Sequence, residues 1–150
     1  MAMRKSALRA VLRVARLREQ QAAASAQRER KRLHDALAAA AQLDQFAEEY
    51  RSDLAQLMLK GEGAVGFMQN TLDFALRLQT TASQQREASE PQRLRSQEAG
   101  QAHQSAKLRL DGLEKIERVE KRRELAELFG REARETEDSV TSRLHRREGR

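Results

Sequence analysis

The sequence predicts an all-α fold, a long two-helix antiparallel coiled-coil hairpin, and three observations carry that prediction. From Leu8 to Leu57 an apolar position recurs alternately every four and three residues. Three of the seven glycines fall within the six residues Gly61 to Gly66. Of the 150 residues only 3% are aromatic while 35% are charged, which is the composition of long helices and too lean for a globular core. A single proline and sparse Val, Ile and Thr argue against sheet.

The first helix is expected over about residues 4–60. Its seam reads Leu8, Leu12, Ala15, Glu19, Ala22, Ala26, Glu29, Leu33, Ala36, Ala40, Leu43, Ala47, Tyr50, Leu54 and Leu57. Only Glu19 and Glu29 interrupt it. A heptad pattern held in one register over that length specifies a left-handed coiled-coil helix, because the 3.5-residue repeat keeps the seam facing its partner. At 1.5 Å per residue it would be a rod roughly 85 Å long.

The turn is expected at 61–66. Glycine adopts positive φ without penalty and weakens a helix by roughly 1 kcal/mol relative to alanine, so Gly61, Gly63 and Gly66 together read as a reversal. The same letters spell G-x-G-x-x-G, a dinucleotide-binding fingerprint, but that motif needs a strand before it. What precedes Gly61 is Tyr50 to Lys60, helical in pattern. A plain αα-hairpin loop is the better reading.

The second helix is expected over about 64–145 and is the longer arm. Phe67, Thr71, Phe74, Leu78 and Ala82 repeat the seam spacing. From Thr80 to Ser105 the pattern nearly dissolves, with Pro91 and Gly100 inside it and Leu94 its one large aliphatic residue. Ser89-Glu90-Pro91-Gln92 fits a capping box with proline in the first turn, so the helix either restarts here or kinks; the lack of loop residues favours a kink. Ala106, Leu110, Leu113 and Ile116 restore an apolar face, weakened by Asp111-Gly112. Val119, Ala126, Phe129, Ala133, Thr136 and Val140 continue a sparser stripe, and 143–150 is expected to fray.

A chain folded back near residue 63 sets residue i against about 126 minus i, as a short loop makes antiparallel neighbours. Leu8–Leu17 should then meet Leu110–Val119, and Leu43–Leu57 should meet Phe67–Leu78. The Ala-rich 20–41 should meet the polar 80–105, a thin layer expected to be the most mobile. Beyond Lys121 no partner remains within the chain. Leu125, Leu128, Phe129 and Val140 would be exposed there or covered by another protein.

Catalysis finds no footing. His34, His103 and His145 are scattered without an H-E-x-x-H or ligand spacing, no P-loop is present, and with no cysteine there is neither disulfide nor thiolate site. No catalytic, metal or cofactor residue is therefore assigned. The net charge of +6 rests on 23 arginines against 6 lysines and suits an anionic partner. Arg4, Lys5, Arg9, Arg13 and Arg16 share the polar side of the first helix, with Lys121-Arg122-Arg123 expected near them. Nucleic acid is disfavoured, since stacking aromatics are absent and the arginines alternate with acids. No run of about 20 apolar residues could span a membrane. The basic N-terminus lacks a signal-peptide apolar core, because Arg9, Arg13, Arg16 and Arg18 interrupt it.

Several short stretches resemble the flagellar export protein FliJ family: Leu17-Arg18-Glu19-Gln20-Gln21, Glu49-Tyr50-Arg51 before the turn, and Arg122-Arg123-Glu124-Leu125-Ala126-Glu127-Leu128. Length and hairpin layout agree. The resemblance implies a cytoplasmic antiparallel coiled coil, like the stalk of rotary ATPases, whose terminal segments insert into the hexameric export ATPase ring. On this chain those contacts would fall to Arg4, Arg9, Arg13, Arg16, Arg122, Arg123, Leu125, Leu128 and Phe129. It also implies contact with the export gate's cytoplasmic linker through Phe67, Thr71, Phe74 and Leu78, and handling of export chaperones. The protein would then sit in the cytoplasm, peripheral to the inner membrane through its partners. Here the stripe reads Phe67-Met68-Gln69-Asn70-Thr71, which departs from the Asn-x-x-aromatic pattern common in the family. The YscO group of injectisome stalk proteins is similar too, and a basic scaffold that dimerises in trans or binds an anionic polymer is the alternative outside these families.

Overall fold

The structure, a computed structural model, describes residues 2–61 and 63–149, with the side chains of Ala2 and Met3 left undescribed. Three helices follow in order, α1 (Ala2–Leu59), α2 (Val65–Ala88) and α3 (Glu90–Glu148), and no strand occurs among the described residues. The chain divides into two compact units, one of residues Glu19–Ser105 and one of Met1–Arg18 with Ala106–Arg150. In each of them α1 runs antiparallel to the second arm. The predicted class, a helical hairpin with a bent second arm, is the one observed.

In the unit of Glu19–Ser105 the α1 seam lies where the heptad puts it except at Tyr50, an expected seam position that is 41% exposed because its ring turns outward to meet Phe74 edge-on. Ala26, Ala40, Ala47 and Leu54 are buried, and Ala22, Leu33, Ala36, Leu43 and Leu57 are half-buried. The facing seam is Met68, Thr71, Ala75, Leu78, Ala82, Ser89, Gln92, Ser96, Ala99 and His103. Its spacing alternates as on α1 except that Gln85, between Ala82 and Ser89, is exposed, so the register is kept while the chemistry changes from aliphatic to small and polar. Thr71, Leu78 and Ala82 take their expected places, but Phe67 and Phe74 do not. Each lies one residue, about 100°, off the seam, which Met68 and Ala75 occupy instead. A fully buried Ala75 lets the helices approach closely, and the Phe74 ring lies outside, edge-on to Tyr50 with centroids 5.1 Å apart.

The two glutamates that interrupt the α1 seam are answered across it. Gln92 Nε2 donates to the Glu29 carbonyl oxygen at 3.2 Å and to its carboxylate, and His103 Nε2 lies 3.0 Å from Glu19 Oε1. Among the described residues no buried side-chain nitrogen or oxygen lacks a partner. The mirror rule holds to about one helical turn: Arg51 meets Gln79 where the rule gives position 75, and Glu29 meets Gln92 where it gives 97.

The reversal occupies fewer residues than expected. Gly61 takes φ 65° and donates its N–H to Met58 O at 3.2 Å, a left-handed cap on α1. Gly63 takes φ 134°, Ala64 is extended, and Gly66 lies inside the first turn of α2. Glu62, which the expected turn includes, lies outside the described residues.

At Pro91 the second arm bends without stopping. Ser89 N–H bonds to Gln85 O at 2.9 Å and Arg93 N–H to Ser89 O at 3.0 Å, so the α pattern passes through Ser89 in αR geometry. The expected capping box does not form. Ser89 Oγ turns back to Arg86 O at 2.7 Å, and Gln92 is committed to Glu29 across the seam. Glu90, in the first turn of α3, is hydrogen-bonded by the Arg93 guanidinium at 2.6–3.0 Å, which holds its carboxyl below the usual carboxylate range and raises Arg93.

In the other unit Leu12 and Ala15 are buried and Leu8 half-buried, facing Ala106, Leu110, Leu113, Glu117 and Glu124. Ile116 and Val119, expected on this face, are exposed, since the heptad steps from 113 to 117 rather than to 116. Lys5 pairs with Glu124 at 2.7 Å and Arg16 with Glu114 at 3.8 Å. The weak point Asp111-Gly112 stays helical, and α3 continues to Glu148 through the tail expected to fray. His145, Arg146 and Arg147 in its last turn complement the helix dipole.

Candidate functional site

Two surfaces hold the candidate residues, one in each unit. In the unit that holds the chain termini, Arg4, Arg9, Arg13 and Arg16 are all exposed, as are Arg122 and Arg123. They do not form one cluster. The Lys5–Glu124 pair sets Arg122 and Arg123 beside the start of α1, whereas Arg16 lies opposite Glu114. Eleven residues of helix separate Lys5 from Arg16, roughly 16 Å. Lys121 and Arg123 are further engaged by Glu117 at 3.1 Å and Glu120 at 3.8 Å. These are exposed pairs of the kind that contribute about 0–1 kcal/mol, so their charges stay available to a partner at little cost.

Beyond Glu124 every described residue but the half-buried Gly130 is exposed. Leu125, Leu128, Phe129, Val140 and Leu144 are each at least half exposed, Phe129 by 65%, and every residue from Arg131 to Gly149 is exposed. Scattered surface apolar residues need no explanation, but five on 20 residues of one lone helix do.

The second surface lies beside the turn. Phe67, Thr71 and Phe74 line a groove of about 400 Å³ together with Tyr50, Asp53, Leu54, Leu57 and Asn70. Leu78, the fourth candidate, lies outside that lining, half-buried on the seam. Thr71 Oγ1 is spent on Phe67 O at 2.8 Å, which leaves Asp53, Asn70 and the Tyr50 hydroxyl as the groove's polar groups. The apolar end widens past the groove, with Leu59 exposed by 89% and Val65 by 70%.

No group of three or more metal-ligating side chains exists among the described residues, and no helix there is long and apolar enough to cross a membrane. Sequence reasoning missed Tyr50, Asp53 and Asn70 as groove residues. The signal was available: the mirror rule sets Tyr50 against position 76, two residues from Phe74. It also missed the polar seam, which stepping on from Ala82 by sevens would have found at Ser89, Ser96 and His103.

In comparison with known families, the model described as Flagellar FliJ protein matches residues 3–150, essentially the whole chain. Neither the curated proteins nor the solved structures give a match.

Proposed function

The chain belongs to the flagellar FliJ protein family, a component of flagellar protein export without catalytic activity, and from that premise we propose that it is the stalk-like accessory subunit of the export ATPase. The observation that carries this reading is the stretch of α3 beyond Glu124, a helix exposed at every described residue but Gly130 and studded with Leu125, Leu128 and Phe129. A lone helix of that kind fits the bore of a ring, and the exposed arginines Arg4, Arg9, Arg13, Arg16, Arg122 and Arg123 fit acidic ring loops. The action is mechanical. An asymmetric rod meets each subunit of a symmetric ring differently and biases their conformations through differential affinity.

The groove of Tyr50, Phe67, Thr71 and Phe74 is the proposed contact with the export gate's linker, and export chaperones are the remaining partners. Through them the protein works in the cytoplasm against the face of the inner membrane.

The test is to follow turnover and ring formation of the flagellar ATPase from the same source with and without this protein. Stimulation that disappears on deleting residues 121–150 supports the stalk. No change at saturating protein removes the ATPase from the reading.

A further inference from the structure

Along α3 the face that pairs with α1 is not the face that carries most of the exposed apolar residues beyond Glu124. Ala106, Leu110, Leu113, Glu117 and Glu124 lie on the paired line. Past it, Ala126, Phe129, Ala133, Thr136, Val140 and Leu144 form a second line, all exposed. At about 100° per residue this second line lies roughly 100–180° around the helix from the first. Continued at its own spacing, the paired line would read Glu127, Arg131, Arg134 and Asp138, which offer nothing to a longer α1. The apolar residues are therefore turned toward something else.

The second line has charged ends. Arg118 and Arg122 precede it on the same side and Arg143 and Arg147 follow, while the ion pairs nearby use Lys121, Arg123 and His145 instead. Glu132 and Glu137 edge its middle. We propose that this line is the docking face for a helix of another protein, apolar along its length and acidic at both ends, held on the side of α3 away from α1. The proposal rests on the ring-contact reading for the identity of that partner, and on the line itself for its chemistry.

A second copy of the chain does not fit. Paired parallel, or antiparallel at full overlap, the two lines set arginine against arginine and glutamate against glutamate. A slipped antiparallel pair could set Arg122 against Glu132, but it would leave Val140 and Leu144 uncovered. An anionic bilayer would accept the arginines yet draw Glu132 and Glu137 against its head groups, where like charge repels them.

The probe is the full chain with its charges exchanged: Arg118→Glu, Arg122→Glu, Glu132→Lys, Glu137→Lys, Arg143→Glu and Arg147→Glu. All six positions are exposed, so α3 should stay helical. Mixed with the wild-type chain and weighed by sedimentation equilibrium at low salt, it should give a species of twice the mass, while each chain alone stays monomeric. The half-exchanged chain, Arg118→Glu and Arg122→Glu with Glu132→Lys, should dimerise with itself antiparallel. Phe129→Ser should abolish both associations and Val14→Ser, on the solvent side of α1, should leave them within twofold. Wild-type self-association overturns the proposal, as does the absence of both complexes from chains that remain helical. Binding of the wild type to phosphatidylglycerol vesicles that is lost with Phe129→Ser overturns it in favour of lipid. The export ATPase takes no part here, so failure to stimulate that enzyme and failure to pair remain separate results.

Discussion

Replacing the polar layer of Glu29 and Gln92 by leucines, one at a time and then together, should reverse the sign of the effect on stability. Gln92→Leu alone removes two hydrogen bonds to Glu29, one of them to a carboxylate. Net contributions of about 0.5–1.5 kcal/mol for a neutral bond and about 1.5–3 for a charged one set the gross loss. Two things reduce it. The Glu29 side chain is 19% exposed and keeps Arg32 at 3.3 Å, and the new leucine covers part of the alanine seam. The expected cost is about 1–2 kcal/mol. The double change removes the need for hydrogen bonds and places two leucines in facing seam positions, each contributing about 1.5–3 kcal/mol when fully buried and less at this half-open layer. The pair should therefore stabilise the chain by about 1–3 kcal/mol, since leucine propagates a helix as well as glutamine or glutamate. Urea unfolding followed by circular dichroism reads all four chains of the cycle. A neutral Gln92→Leu together with a destabilising double change would show that the two residues do not share a layer, and the continuous seam would have to be abandoned.

Three further expectations can be read by the same unfolding assay or by titration. Gly63→Ala should destabilise by about 1–2 kcal/mol, because φ is 134° and the new Cβ would meet Met68 Cε at 3.2 Å, whereas Gly66→Ala, helical with open space around it, should stabilise by about 0.5–1; effects of one sign at both would refute the observed turn. Leu12→Ala, at a site 1% exposed, should cost about 2–3 kcal/mol, while Val14→Ala on the solvent side should stay within about 0.5. The Glu90 carboxyl is depressed by Arg93, so the stability it contributes is present above the unfolded pKa and is lost as pH falls through the lower folded value. A carbon-detected titration should return Glu90 to the ordinary range in Arg93→Ala, and no change would deny the pairing.

The first helix could be read almost residue by residue from the sequence, while the second could be read only at its ends. On α1 large or small apolar residues hold every seam position but two, so periodicity alone shows which face is buried. On the second arm the seam from Ser89 to His103 is Ser, Gln, Ser, Ala and His, residues that no hydrophobicity pattern separates from a solvated face. Their burial follows from what stands opposite. Serine and alanine suffice because the α1 layers are alanine, and Gln92 and His103 are acceptable because each meets a glutamate. A polar group's place inside a fold depends on its partner, and the partner lies more than 60 residues away.

The sequence by itself therefore determined the class, the antiparallel reversal at the glycines and the burial of α1, because these depend on local period and backbone permissiveness. The tertiary structure alone decided the rest. It turned Ser89 and Pro91 from a possible helix start into a bend, as Gln92 reached across to Glu29 instead of capping. It moved Phe67 and Phe74 off the seam to make the groove with Tyr50, since close approach at Ala75 leaves no room for a ring between the helices. Both outcomes depend on the distance between two helices, a quantity that neither helix's own sequence contains.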